Sequence, residues 1–461
     1  MSAALNAWQL VRREHGLTAT EARARGVVLT VASGWTARVV GLGVNLVSVP
    51  LAAHYLGAER YGVWVVASTL IGVVALLDFG LGNHLTTTLA HALARGDRAA
   101  ARSDVVTVFG LSSAMAAAGL ALFVATWPIA RWDWLWNVTD PLASREAPRV
   151  LWVVVVVTLL SIPINLVTRV QYAFQEGWKV NLWQSLGAVA ALAALIAAVN
   201  AQAGLPVLAF ALAGIPVLVM LADLAVVAAR DKRWLFARPW RFNRVAAPGV
   251  LWESRHLLAN NLQSLFWLAK DTLVVNLAFG PAELVRFSTI FRIYILLLGL
   301  IVGSITIAAW PALADGMARG EWRWVERAYS RFTMTAVGGY AAVVLIVAAL
   351  ARPMIRVWAG ELLVPRPEVA WLLAGQFALI AWANLSGYFL LAAGRYAVVA
   401  RAGVIGGLAS LALNAAVVPR FGPEAVPLTN IACLVIFVVG PLHLRARRVV
   451  HEGLAAAGRA V

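Results

Sequence analysis

Arg38, Lys270, Asp271 and Arg292 are charged side chains inside stretches that are otherwise apolar. Lys270 and Asp271 are neighbours near the middle of FWLAKDTLVVNLAFG, residues 266–280. Cations of this kind recognise anions, phosphate above all, by charge-assisted hydrogen bonds that strengthen where water is scarce. Three cations against one deep carboxylate leave a positive surplus. Structural pairing alone does not explain that surplus, whereas a water-filled cavity that receives an anion does. A second carboxylate, Asp78 in LLDFGLG, lies near the end of its apolar run, which suits a gate, an ion-coupling group or a helix end.

These charges must be positioned by membrane helices. Of 461 residues, 61% are hydrophobic and 13% charged, and the mean hydropathy is +0.79. Apolar runs recur from end to end, each near the ~20 residues that carry a helix across about 30 Å of hydrocarbon. The expected fold is an all-α polytopic membrane protein with about twelve transmembrane helices. They are placed at roughly 27–54, 61–83, 104–126, 149–169, 181–199, 204–229, 256–279, 286–312, 333–350, 368–393, 397–418 and 425–444. No apolar core of signal-peptide length precedes the first, so it is expected to act as an uncleaved signal.

Helical periodicity collects the polar residues into stripes. In the first span, Gly34, Arg38, Gly41, Asn45 and Ser48 recur at spacings of three and four. Arg38 then lies ~16 Å deep at 1.5 Å per residue. In the seventh span Asn260, Asn261, Gln263, Ser264, Trp267, Lys270 and Asp271 crowd one side, opposite Leu265, Leu268, Leu273 and Val275. Ser288, Arg292, Gly299 and Gly303 repeat the pattern in the eighth, and Gln376, Asn384 and Tyr388 give the tenth a polar edge. Sequence neighbours on a helix point about 100° apart. Lys270 and Asp271 are therefore each expected to have another partner, with Arg38 one of them.

The net charge of +16 is distributed by side rather than gathered into a nucleic-acid patch. With the N-terminus inside, Lys and Arg fall overwhelmingly on the inner loops, as the positive-inside rule expects. Both termini are then cytoplasmic, and the excess faces the anionic inner leaflet. The single cysteine, Cys433, lies in the last span and forms no internal disulfide. No CxxC, HExxH or Walker loop is present, so an enzyme and an ATP-driven pump are disfavoured, and no metal or cofactor is expected beyond a coupling proton or Na+.

The segment 230–255 is strongly basic and forms the natural joint between two six-helix halves, 27–229 and 256–444. Residues 1–26 and 445–461 are expected to be cytoplasmic ends. At one constant offset Ala58-Glu59 aligns with Ala282-Glu283, and Ala94-Arg95-Gly96 with Ala318-Arg319-Gly320. A duplicated six-helix unit follows, its two copies sharing one membrane orientation, with a central cavity between them. No outside loop exceeds about two dozen residues. The longest, Trp127 to Pro148, carries Trp132, Trp134 and Trp136, expected to rest in the interface as an aromatic belt.

The run VNLVSVPLAAHYLGAERYGVWVVASTLIGVVALLDFGLGNHL, Val44 to Leu85, resembles the opening of Wzx-type polysaccharide-biosynthesis flippases of the multidrug/oligosaccharidyl-lipid/polysaccharide superfamily. The likeness rests on Pro50 to Gly57, on Glu59-Arg60-Tyr61-Gly62 and on Leu77-Asp78-Phe79-Gly80-Leu81-Gly82. QYAFQEGWKVNLWQSLG, Gln171 to Gly187, is similar to that group's segment before the fifth helix. The resemblance implies two six-helix bundles around a central cavity, working by alternating access in the bacterial inner membrane. Its implied substrate is an undecaprenyl-pyrophosphate-linked oligosaccharide bound for O-antigen, capsule or exopolysaccharide. Arg38, Lys270 and Arg292 then suit the pyrophosphate. Asn45, Asn260, Asn261, Gln263, Ser264, Trp267 and Asn384 suit the sugars, with Asp271 and Asp78 left for ion coupling or gating. Membrane lipids and other polysaccharide-assembly proteins are the implied partners.

Two other readings remain open. A drug or cation exporter of the related multidrug-extrusion branch would want an acidic cavity, and this one leans basic. A polysaccharide polymerase or ligase would want a substantial outside catalytic loop.

Overall fold

In hydrocarbon a backbone must satisfy its own hydrogen bonds, which leaves helices or closed barrels. The computed structural model describes residues 19–75, 80–130, 132–237, 267 and 269–458, and every regular element among them is helical. In order these are α1 (Ala19–Ala75), α2 (Leu81–Ala94), α3 (Arg98–Thr126), α4 (Pro141–Ile164), α5 (Leu166–Ala173), α6 (Gly177–Asn200) and α7 (Leu205–Asp231). There follow α8 (Lys270–Phe279), α9 (Pro281–Ala318), α10 (Trp322–Ala359), α11 (Pro367–Ala392), α12 (Tyr396–Phe421) and α13 (Ala425–Ala457). Asp78, Asn260, Asn261, Gln263, Ser264 and most of the basic joint lie outside the described residues.

Ten stretches are long and apolar enough to span a bilayer. The first, Val28–Gly72, has 45 residues, or ~68 Å of helix at 1.5 Å per residue, twice what one crossing needs. It is two spans joined at Gly57, whose φ of 71° and ψ of 176° break the helical path. Eleven of the twelve expected spans are thereby accounted for; half of the twelfth, 256–279, falls outside the described residues. The expected boundaries shift in three places. Gly80, at φ 77° and ψ 12°, separates α2 from the second span. Asp140 caps α4 by accepting from the Leu142 and Ala143 amides, so the fourth span starts before residue 149. Residues 445–457, expected as a tail, continue as helix.

The chain divides into two units. The first comprises 1–56, 67–132 and 140–258; the second comprises 57–66, 133–139 and 259–461. Two short segments from the first half, 57–66 and 133–139, group with the second unit.

Within the first unit, Leu81, Leu85 and Leu89 recur every fourth residue, and this face of α2 is buried with Val105, Val108, Leu166 and Val170. Within the second, aromatic side chains fill the interior: Phe291 meets Phe377 edge-on at 5.2 Å. Tyr294 and Tyr340 are fully buried because their hydroxyls are satisfied, donating to the Ala370 carbonyl (3.0 Å) and the Tyr294 carbonyl (2.7 Å).

The duplication is visible in conformation. Gly96 and Gly320, which align at the repeat offset, have φ of 71° and 74°. Gly57 and Gly280, which stand one residue off that offset, are also alike, at 71°/176° and 80°/177°. The adjoining repeat-related carboxylates both hold turns within the second unit. Glu59 accepts from the Thr139 amide at 2.8 Å, and Glu283 meets Arg366 at 3.0 Å. Arg366 also reaches Glu424 at 3.0 Å. Burial works against its charge, but Glu283 and Glu424 together raise its pKa.

Of the three tryptophans expected in an interfacial belt, Trp134 is exposed and Trp132 stacks on Trp127 at 5.9 Å. Trp136 is buried, which corrects the belt reading for that residue. The Asn137 amide beside it donates to the Asn276 carbonyl at 2.9 Å, while Asn276 returns a bond to the Leu135 carbonyl at 2.7 Å. This reciprocal pair draws the segment into the protein.

Candidate polar and charged site

α8 begins at Lys270 with Ala269 as its N-cap, so Lys270 and Asp271 occupy its first turn. A carboxylate there is favoured by the helix dipole. Asp271 is fully buried and Lys270 is 6% exposed. The Lys270 ammonium lies 2.5 Å from Asp271 Oδ1 and 2.8 Å from Asn430 Oδ1. The two do face each other, contrary to the expectation from helical angles. The reason is the lysine's four-carbon stem, which folds back across one turn, an option a short side chain lacks. Each also has the further partner expected of it, Asn430 for both and Gln376 for Asp271.

Three further helices complete the cluster. Asn430 of α13 donates from Nδ2 to Asp271 Oδ2 at 2.7 Å, and Gln376 of α11 donates to the same oxygen at 3.3 Å. From α12, Asn414 Nδ2 donates to Asn430 Oδ1 at 3.3 Å and Ser410 donates to that oxygen as well. Thr429 donates to Asn414 Oδ1. Gln376, Ser410, Asn414 and Asn430 are each fully buried. Asp271 thus collects three donors, Lys270 two acceptors, and the cluster carries no net charge.

Trp267 is buried beside this cluster, its ring 5.7 Å from the Lys270 ammonium and its Nε1 donating to the Gly403 carbonyl at 3.0 Å. Gly406 permits that approach, since an added Cβ would lie 3.0 Å from Trp267 Cζ2 and 2.7 Å from Val438 Cγ2. Trp267 is therefore a wall of the cluster.

The other expected site residues lie elsewhere. In the first unit Arg38 is exposed, 5.2 Å from the Trp35 ring. Asn45, also exposed, donates to the Gly41 carbonyl at 2.8 Å, one turn back on its own helix. In the second unit Arg292 is exposed, and half-buried Asn384 donates to the Ile380 carbonyl at 3.0 Å. With Lys270 neutralised by Asp271, the exposed members of the expected phosphate-binding set are Arg38 and Arg292. Among the described residues no cluster of three or more His, Cys, Asp or Glu could hold a metal.

Ser410, Asn414, Thr429 and Asn430 escaped the sequence reading because they are uncharged. Their signal was present: Ser410 and Asn414 stand four apart on one face of an apolar helix, and Thr429-Asn430 interrupt another.

No protein-family profile matches the chain. Among curated proteins it is 21% identical over 303 residues to a candidate O-antigen transporter of Salmonella typhi, covering 65% of this chain and 68% of that protein. A candidate O-antigen export protein of Yersinia pseudotuberculosis is 23% identical over 174 residues, covering 37% and 38%. Among solved structures, the lipid II flippase MurJ in an inward closed conformation superposes with a TM-score of 0.70 at 13% identity, covering 91% of this chain and 87% of that one. An inward-facing multidrug-resistance transporter of the MATE family gives 0.69 at 13% identity, covering 90% and 99%. The fold is that of the MOP superfamily. The likeness to MOP transporters extends through both units, so the second half, which resembled them only in span pattern, shares their architecture.

Proposed function

We propose that the protein moves an undecaprenyl-pyrophosphate-linked oligosaccharide from the inner to the outer leaflet of the bacterial inner membrane by alternating access. The observation that carries this reading is the sequence likeness to an O-antigen transporter across about two thirds of both chains. It is supported by the exposed cations Arg38 and Arg292, which suit a pyrophosphate, and by exposed or half-buried amides at Asn45 and Asn384, which suit sugars. Lys270, held by Asp271 in this state, joins the phosphate-binding set when that pair opens. Asp271 sets its charge balance. A cation exporter would place carboxylates where Arg38 and Arg292 stand.

Binding to the purified protein tests the headgroup assignment. By native mass spectrometry, a polyprenyl pyrophosphate should bind at least tenfold better than the same polyprenol without phosphate, and R38Q and R292Q should erase the difference. Equal binding of alcohol and pyrophosphate sinks it.

A further inference from the structure

A buried carboxylate also lies in the first unit, outside the Lys270–Asp271 cluster. Asp223 of α7 is fully buried, and Gln171 of α5 is 1% exposed. Gln171 Nε2 donates to Asp223 Oδ1 at 2.7 Å. The remaining oxygen of each, Asp223 Oδ2 and Gln171 Oε1, is buried without a hydrogen-bond donor. A charged carboxylate with one donor and an orphaned oxygen in a low-dielectric interior is costly. One proton removes the charge and supplies a donor for an orphaned acceptor, with the amide free to turn about its last bond.

The surroundings favour a proton over a metal ion. The only oxygens the pair offers are one carboxylate and one amide, and the amide N–H already occupies one side. Hard cations take many more oxygens. The charged groups acting on Asp223 are Lys179, Asp231 and Glu176. They are tied to one another: Lys179 meets Asp231 at 2.7 Å and Glu176 at 3.3 Å, and Glu176 meets Lys232 at 2.9 Å.

Among the described residues, no other charge on the elements packed around α7 is placed to neutralise Asp223. The charges of α4, Arg145, Glu146 and Arg149, lie in its first turns, where Glu146 accepts from the Leu205 amide at the far end of α7. Arg169 of α5 turns to Asn83, at 3.0 Å. On α6 the only charge is Lys179, and beyond Asp231 the short helix that follows α7 carries Arg233. Lys179, Asp231 and Glu176 thus place partly exposed charged groups within electrostatic reach of the buried carboxylate.

We infer that Asp223 and Gln171 form a proton-binding site in the first unit, and that its occupancy drives transport. The second clause rests on the transport reading above; the first does not. The pair lies on the segment Gln171 to Gly187 and on α7, so binding and loss of the proton change how α5 and α7 are held together.

Infrared spectroscopy of the purified full-length protein tests the site. The wild type should show the carbonyl stretch of a buried protonated carboxyl that disappears as pH rises, absent in D223N and displaced in D223E. An unchanged band in D223N overturns the inference, as does a band that responds to Na+ at fixed pH. In proteoliposomes, the dependence of lipid-linked oligosaccharide movement on an imposed pH gradient should fall at least tenfold in D223N. Undiminished dependence overturns the coupling role. A wild type that moves no such lipid sinks the transport reading, and the infrared result then decides the proton site alone.

Discussion

The ammonium of Lys270 lies 2.5 Å from the carboxylate of Asp271, its immediate neighbour in sequence, and the same carboxylate accepts from Asn430 at 2.7 Å. This pair is enclosed by four helices and removes the charge that its sequence context suggested was free.

Breaking one side of such a pair leaves a buried charge uncompensated, at about 3–5 kcal/mol. K270M and D271N should each lower the unfolding midpoint in detergent strongly, while K270M/D271N together should recover most of the loss. Additive losses in the thermal unfolding of the double variant would count against the pairing.

The amides that finish the cluster should matter less. N430A removes a donor to Asp271 and an acceptor for Lys270 and should cost about 1–3 kcal/mol. Q376L, which removes two longer bonds of 3.3 Å, one to Asp271 and one from Asn430, should fall at the lower end. Chemical-denaturant unfolding of the two variants gives the order.

Gly96 and Gly320 test the duplication. Neither has an atom within 4 Å of an added Cβ, so substitution by alanine costs only the left-handed backbone, about 1–2 kcal/mol. G96A and G320A should be destabilised by similar amounts; a loss confined to one would mean that the two turns are not equivalent.

An acid-sensitive contact lies between α10 and α11. Arg356 donates to Glu361 at 2.5 Å and holds its carboxyl below the ordinary range. The sign follows: its contribution is complete above the unfolded carboxylate pKa and is lost as pH falls through the lower folded value. The stability difference between wild type and E361Q should be small near neutrality, because both groups are exposed, and should vanish at the acid end. A difference that grows on acidification contradicts it.

Much of the fold was legible in the sequence, because hydrocarbon thickness fixes span length and leaves the backbone few options. The repeat was suggested by Ala94-Arg95-Gly96 against Ala318-Arg319-Gly320, whose glycines share a left-handed conformation. The site was less legible. Arg38 and Arg292 announced themselves by cost, since a charge in hydrocarbon demands an explanation. Asn430 and Asn414 did not, because a neutral amide in an apolar helix is common and its partners lie far away in sequence. The Lys270–Asp271 contact was misjudged because helical angles describe where a side chain starts, while a lysine ends four carbons away. Asp223 was passed over although it interrupts an apolar run as Lys270 does.

Arg38 separates function from stability. It is exposed and makes no ion pair among the described residues, so R38Q should change stability by no more than about 0.5 kcal/mol. Its effect should fall on transport.

The most direct measurement is leaflet exchange by the purified protein in liposomes. Oligosaccharide linked through pyrophosphate to a fluorescent polyprenol would be followed by its susceptibility to an externally added glycan-cleaving enzyme, with organic-cation uptake recorded in the same vesicles. The expected result is movement of the lipid-linked sugar, reduced at least tenfold by R38Q, and no cation accumulation. Cation accumulation with no movement of the lipid-linked sugar would contradict the account.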